Sequence, residues 1–128
     1  MTLLLDTHAF LWFILNDPRL SPNAAALLID PANELLLSPA SYWEIAIKVS
    51  IGKLTLAEPF DSIFPKQLEN NGTDVLDIKR EHASKLVSLP FHHKDPFDRL
   101  LVAQALYQGW PILSHDPLIT QYSVTTIW

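Results

Sequence analysis

A chain of 128 residues, 48% hydrophobic and with four tryptophans, has ample material for one core and is expected to form a single domain over residues 1–128. The absence of cysteine excludes disulfide frameworks, thiolate zinc sites and thiol catalysis, and leaves oxygen ligands for any metal. A formal net charge of −5 gives no overall basic footprint for nucleic acid, although a metal ion or a few local Lys and Arg still allow phosphate contacts.

Met1 to Asp6 lacks a basic segment and meets an acid after three leucines, so it does not read as a signal peptide. Apolar runs such as Ala9 to Leu15 fall well short of the ~20 residues of a membrane span. A soluble, cytoplasmic protein is expected.

Leu3-Leu4-Leu5 reads as a strand buried on both faces of a parallel sheet and stops at Asp6. A helix is predicted through Ala9 to Leu15, closing near Asn16-Asp17-Pro18, and Ser21-Pro22 opens another that runs to Asp30-Pro31. Glu34 to Leu37 is a second strand; Ser38-Pro39 then caps a helix that runs to Gly52 and carries Glu44. Pro59 and Pro65 predict short helical pieces between Lys53 and Asn71. Val75 to Ile78 alternates like a third, more exposed strand, and Glu81 to Leu89 reads as a helix stopped by Pro90.

The loop Phe91 to Lys94 leads into the most telling stretch. Asp95-Pro96 is a helix start, the helix is apolar from Phe97 to Tyr107, and Gly109 and Pro111 close it. A helix with so little polar face belongs between other elements. Pro111 to Ser114 is a fourth strand running into Asp116, and the β-branched tail Val124 to Trp128 suits a last edge strand. Strands alternating with helices predict an α/β fold, a three-layer α/β/α sandwich around a mainly parallel sheet of about five strands.

In open α/β sheets ligands bind at the carboxyl ends of the strands, where strand order reverses. Asp6 and Asp116 follow two strands, and the helices bearing Glu44 and Asp98 follow others to the same edge. Each acid has a plain structural reading as well. Asp98 could reach back to the Asp95 amide as half of a capping box, and Glu44 could form an exposed pair with Lys48, worth only ~0.3–0.5 kcal/mol. Four ionised carboxylates together need a cation, since two charges ~4 Å apart repel by roughly 4 kcal/mol at an effective dielectric of about 20. All-oxygen ligation favours Mg²⁺ or Mn²⁺, ions suited to phosphate chemistry.

Leu3-Leu4-Leu5-Asp6-Thr7-His8, Trp43 to Lys48 with Gly52-Lys53-Leu54, Asp95 to Ala105, and Ser114-His115-Asp116 together resemble the PIN-domain ribonucleases, especially the VapC-type toxins, across essentially the whole chain. The resemblance implies a Mg²⁺- or Mn²⁺-dependent endoribonuclease that cuts RNA phosphodiesters, that is silenced by a partner antitoxin, and that forms a homodimer. Asp6, Glu44 and Asp98 match the three core acids of the family, as catalytic and metal-holding residues, and Asp116 matches the variable fourth. Thr7 and Ser114 match hydroxyls near the metal waters. Asp95 matches a frequent family acid but is better placed as a helix cap.

Lys48, Lys53, Lys94 and Arg99 are candidates for substrate phosphates or for pairing with the acids, and Arg99 is as well suited to a structural role. His92 and His93 read as loop histidines rather than general bases, and His8 as a packing or supporting group. Trp12 and Phe13 are candidates for a dimer or antitoxin face. A haloacid-dehalogenase reading fails because His8 stands where a second Asp is needed. A receiver reading fails because no Lys follows Lys94. The alternative is a catalytically silent PIN-fold interaction or RNA-binding module.

Overall fold

The leucine triplet after Thr2 becomes the central strand of the molecule. In the computed structural model, which describes all 128 residues, β1 (Thr2–Leu5) has Leu3, Leu4 and Leu5 buried at the middle of a five-stranded sheet. β2 (Glu34–Leu37) pairs with it, Leu3 beside Leu35 and Leu5 beside Leu37, and β3 (Thr73–Val75) lies outside β2. On the other side are β4 (Ile112–Leu113) and then β5 (Thr126–Ile127). The order is β3-β2-β1-β4-β5 and every pairing is parallel.

Alternate side chains of each strand leave by opposite faces, so the leucine runs feed two cores. Leu3, Leu5, Leu35, Leu37 and Leu113 pack with α1 (Thr7–Ile14), α2 (Pro22–Ile29), α3 (Pro39–Ser50) and α4 (Phe60–Asn70). Leu4, Leu36 and Ile112 pack with α6 (Pro96–Gln108) and its neighbour α5 (Arg80–Val87). This is the expected three-layer sandwich. No helix is long and apolar enough to cross a membrane.

The cap-then-proline signals act as predicted at three helices. Ser21, Ser38 and Asp95 each accept backbone N–H groups ahead of Pro22, Pro39 and Pro96, and Gly109 ends α6 at φ +74°, where a side chain would be strained. Three boundaries differ from expectation. α1 starts at Thr7, because the Asp6 carboxylate caps it by accepting the Ala9 N–H at 2.7 Å. Pro65 does not divide its segment: α4 runs through it from a start set by Pro59, with Ile63 and Phe64 buried against the sheet. Packing of that face outweighs the roughly 3 kcal/mol that an interior proline costs a helix. β3 lies two residues earlier than predicted, since β2 ends at Leu37 and, once Leu76 N–H has bonded Leu37 C=O at 2.9 Å, Asp77 and Ile78 have no ladder to join.

Candidate active site

Strand order reverses between β1 and β4, so the chains leaving their carboxyl ends diverge and open a crevice there. Asp6 stands at the end of β1 and Ser114 at the end of β4, tied by a ladder bond from Asp6 N–H to Leu113 C=O at 3.2 Å. The Ser114 hydroxyl donates to Asp6 Oδ2 and the Ala9 N–H to Oδ1, which fixes the buried carboxylate from both sides. Burial pushes Asp6 above the usual carboxylate range; the Ser114 and Ala9 bonds pull it down, and Asp116 adds to the rise.

Glu44 reaches the same crevice from α3. It is buried, accepts the Thr7 hydroxyl at Oε1 (2.8 Å), and has Lys48 Nζ 3.2 Å from Oε2. Thr7 Oγ1 also lies 3.0 Å from Ser41 Oγ. The Glu44–Lys48 pair read from the helical spacing therefore exists, but on a carboxylate withdrawn from solvent and bound to the residue that follows Asp6. That is not the exposed pair the spacing alone predicts.

Asp98 occupies the first turn of α6, where Asp95 Oδ1 accepts the N–H groups of both Phe97 and Asp98. Asp98 does not reach back to Asp95. Its Oδ2 lies 3.2 Å from His93 Nε2, and His93 Nδ1 lies 2.8 Å from Tyr122 Oη. Arg99 Nη1 donates to that phenol oxygen at 3.0 Å. Since a guanidinium only donates, the Tyr122 proton is free to go to His93 Nδ1; the imidazole proton then sits on Nε2 and points at Asp98. Burial pushes Asp98 up to about 6, with Asp95, Asp116 and Glu44 adding to the rise and His93 opposing it.

Asp116 completes the group. Its N–H donates to Ser114 Oγ at 3.1 Å, and its Oδ1 accepts the Leu118 N–H at 2.8 Å ahead of the 3₁₀ turn Ile119–Gln121. Asp98 feels the charges of Glu44 and Asp116, and Asp6 feels that of Asp116, so all four acids lie within electrostatic reach at one sheet edge. Asp98 Oδ1 and Asp116 Oδ2 carry no protein hydrogen bond.

Of the basic candidates, Lys48 is at the site, Lys94 is exposed on the loop before α6, and Lys53 is exposed beyond the end of α3. Arg99 is a correction. It is 4% exposed, donates to Pro90 C=O (2.8 Å) and to Tyr122, and lies 3.9 Å under the Phe91 ring, so its charge is spent inside the fold and does not face a substrate. His93, read from the sequence as a loop histidine, is held between Asp98 and Tyr122. Its side chain is only 9% exposed, and its partner Tyr122 is 29 residues away, beyond any local signal. His8 is exposed beside Asp6, with its ring 5.6 Å from Trp12, and Phe13 packs partly buried against the core.

The donor set is carboxylate and hydroxyl oxygen, the chemistry that Mg²⁺ and Mn²⁺ take. No group of three or more acidic or imidazole side chains is arranged to hold a metal ion by itself, and protein donors hold Asp6 and Glu44. That suits an ion which binds through one or two carboxylates and keeps several waters. The residues fit such an ion.

The chain matches the model of the PIN domain over residues 3–124. It is 31% identical to ribonuclease VapC22 of Mycobacterium tuberculosis over 131 aligned residues, 99% of this chain and 98% of that protein. Against ribonuclease VapC16 of the same organism it is 39% identical over 71 residues, 52% of this chain and 50% of that protein. Among solved structures, VapBC2 from Rickettsia felis bound to a DNA fragment of their promoter superposes with a TM-score of 0.74 at 15% identity, over 99% of this chain and 98% of that one. FitAcB from Neisseria gonorrhoeae superposes at 0.67 and 17% identity, over 98% and 96%.

Proposed function

The chain belongs to the PIN-domain family, and on that premise we propose that it is a cytoplasmic, metal-dependent endoribonuclease, the toxin of a toxin–antitoxin pair. The observation that carries this reading is the meeting of Asp6, Glu44, Asp98 and Asp116 at the β1–β4 crevice, where burial and mutual repulsion already raise two of them. The naming of VapC22 as a ribonuclease supports the activity, and the structures of similar fold, solved as VapBC2 and FitAcB, support a protein partner. A homodimer and RNA as the substrate belong to the same proposal.

One or two of Asp6, Glu44, Asp98 and Asp116 would bind the ion directly and the others would hold its waters. Mg²⁺ or Mn²⁺ bound there supplies charge neutralisation and Lewis acidity to a phosphodiester. The chain's own groups do the positioning. Ser114 and the Ala9 N–H fix Asp6, Thr7 and Lys48 fix Glu44, and His93 holds Oδ2 of Asp98, which leaves Oδ1 without a protein partner to orient the attacking water. Lys48 and Lys94 supply cations for the flanking phosphates, with Lys53 further out.

The test is purified protein on mixed RNA with Mg²⁺ or Mn²⁺, against EDTA and against Asp6→Asn and Asp98→Asn. Cleavage that needs the metal and both acids supports the proposal. Cleavage by folded variants as fast as wild type overturns it, and silence of every form returns the reading to a PIN-fold interaction module.

A further inference from the structure

Beside the acids lies a cavity of about 200 Å³ whose remaining walls are rings: it is lined by Asp6, His8, Trp12, His115, Asp116 and Trp128. The four rings form a continuous arc. His8 and Trp12 lie 5.6 Å apart between centroids, Trp12 and Trp128 5.7 Å apart edge to face, and Trp128 and His115 5.4 Å apart. The arc joins the two strand ends of the site, since His8 follows Asp6 on the β1 side and His115 precedes Asp116 on the β4 side. Both histidines are exposed and neither forms a protein hydrogen bond, so their ring nitrogens are free for a ligand.

We propose that this arc is a stacking subsite for one unpaired nucleobase next to the phosphodiester held at the acids, an inference that rests on the ribonuclease reading. The wall chemistry selects the occupant. No Lys or Arg lines the cavity and two carboxylates do, so a phosphate is repelled; Arg19, paired with Asp17, covers one face of Trp12 at 4.8 Å from the ring centroid, and a neutral planar ring stacks on the faces that His8, His115 and Trp128 offer. The imidazole nitrogens of His8 and His115 meet the polar edge of such a ring. A base paired in a duplex keeps its faces covered by its neighbours, so the arc reads single-stranded or looped RNA. The subsite also answers the acidity of the chain, because stacking contributes affinity that a protein of net charge −5 lacks from phosphate contacts.

The experiment follows the four indole N–H signals by NMR while a short oligoribonucleotide is added with Ca²⁺ in place of Mg²⁺, so that the strand is bound without being cut. Trp12 and Trp128 are expected to shift, with Trp110, packed against the α6 side of the sheet, as the internal reference outside the arc. Replacing one nucleotide by an abasic ribose should abolish the shift at a single position of the oligomer. Trp128→Ala and His115→Ala should each weaken binding, the former about ten-fold, and Trp128→Phe should restore most of it. His115→Ala leaves the core untouched and guards against a folding defect in the tryptophan variant. Unmoved Trp12 and Trp128 signals at saturating oligomer, or full affinity in both alanine variants, overturn the subsite even if the wild type cuts RNA. Shifted signals in a protein that cuts no RNA leave the subsite standing and overturn the ribonuclease reading instead.

Discussion

His93 holds Asp98: Nε2 of the imidazole lies 3.2 Å from Oδ2 of the carboxylate, and Tyr122, itself anchored by Arg99, occupies the other ring nitrogen. Removing such a supporting partner typically costs 10–100-fold in activity or metal affinity. His93→Ala is expected to lower kcat by about that range with little change in KM. His93→Gln, which keeps a donor near the Nε2 position, should recover part of it, and Tyr122→Phe should fall between. Equal rates for His93→Ala and wild type would remove the positioning role.

Ionising Asp98 inside the cluster weakens the fold. Its carboxyl is raised from 3.8 to about 6, so its contribution to stability is full below pH ~4 and is lost as pH rises to ~6. Without metal, Asp98→Asn should therefore be more stable than wild type near pH ~8, by up to about 3 kcal/mol, and no more stable near pH ~4. Urea unfolding at the two pH values checks the sign.

A cation relieves the same repulsion. Mg²⁺ should raise the Tm of the wild type near pH ~8, EDTA should reverse it, and the effect should shrink in Asp98→Asn and Asp6→Asn. Differential scanning calorimetry reads this without any activity.

Thr7→Val removes the hydroxyl that Glu44 Oε1 accepts and leaves a buried carboxylate oxygen without that donor. A loss of about 1–3 kcal/mol is expected, larger than for Thr2→Val, whose bond to Glu34 is exposed. Equal losses at the two sites would show that burial at Glu44 is not the deciding term.

Acid should also loosen the opposite face of the sheet. His82 is fully buried, accepts the Lys79 N–H at Nδ1 (3.0 Å), and burial first and Lys79 second hold its imidazole below the ordinary range. A histidine kept neutral in the folded state contributes stability above its unfolded value of about 6.5, and that contribution is lost as pH falls through the folded value. Wild type should lose stability with acid in this window more steeply than His82→Gln, followed by thermal melts.

Most of the frame was legible because it depends on local chemistry. Leucine triplets read as buried strands, and Ser21, Ser38 and Asp95 before proline read as caps, since a cap needs only its own next three residues. The strand-end rule brought the acids to one edge and the family likeness gave them roles, and two of their structural partners, Lys48 and Asp95, lie within four residues of them. What the sequence concealed depends on distance. Pro65 is tolerated because of packing on the far side of its helix, and Arg99 is consumed by Tyr122 and by the carbonyl of Pro90. His93 gains its partners only when the tail of the chain folds back onto α6. The aromatic arc was hidden for the same reason, as Trp12 and Trp128 come from opposite ends of the sequence.

The bond from Ser114 to Asp6 spans 108 residues. In synthesis Asp6 therefore precedes its clamp by that length of chain, and a polypeptide that stops short of Ser114 carries the first acid unclamped and lacks Tyr122, which steadies the third through His93. Whatever the crevice between β1 and β4 does with a fixed Asp6, it does only in a polypeptide that already extends past Ser114.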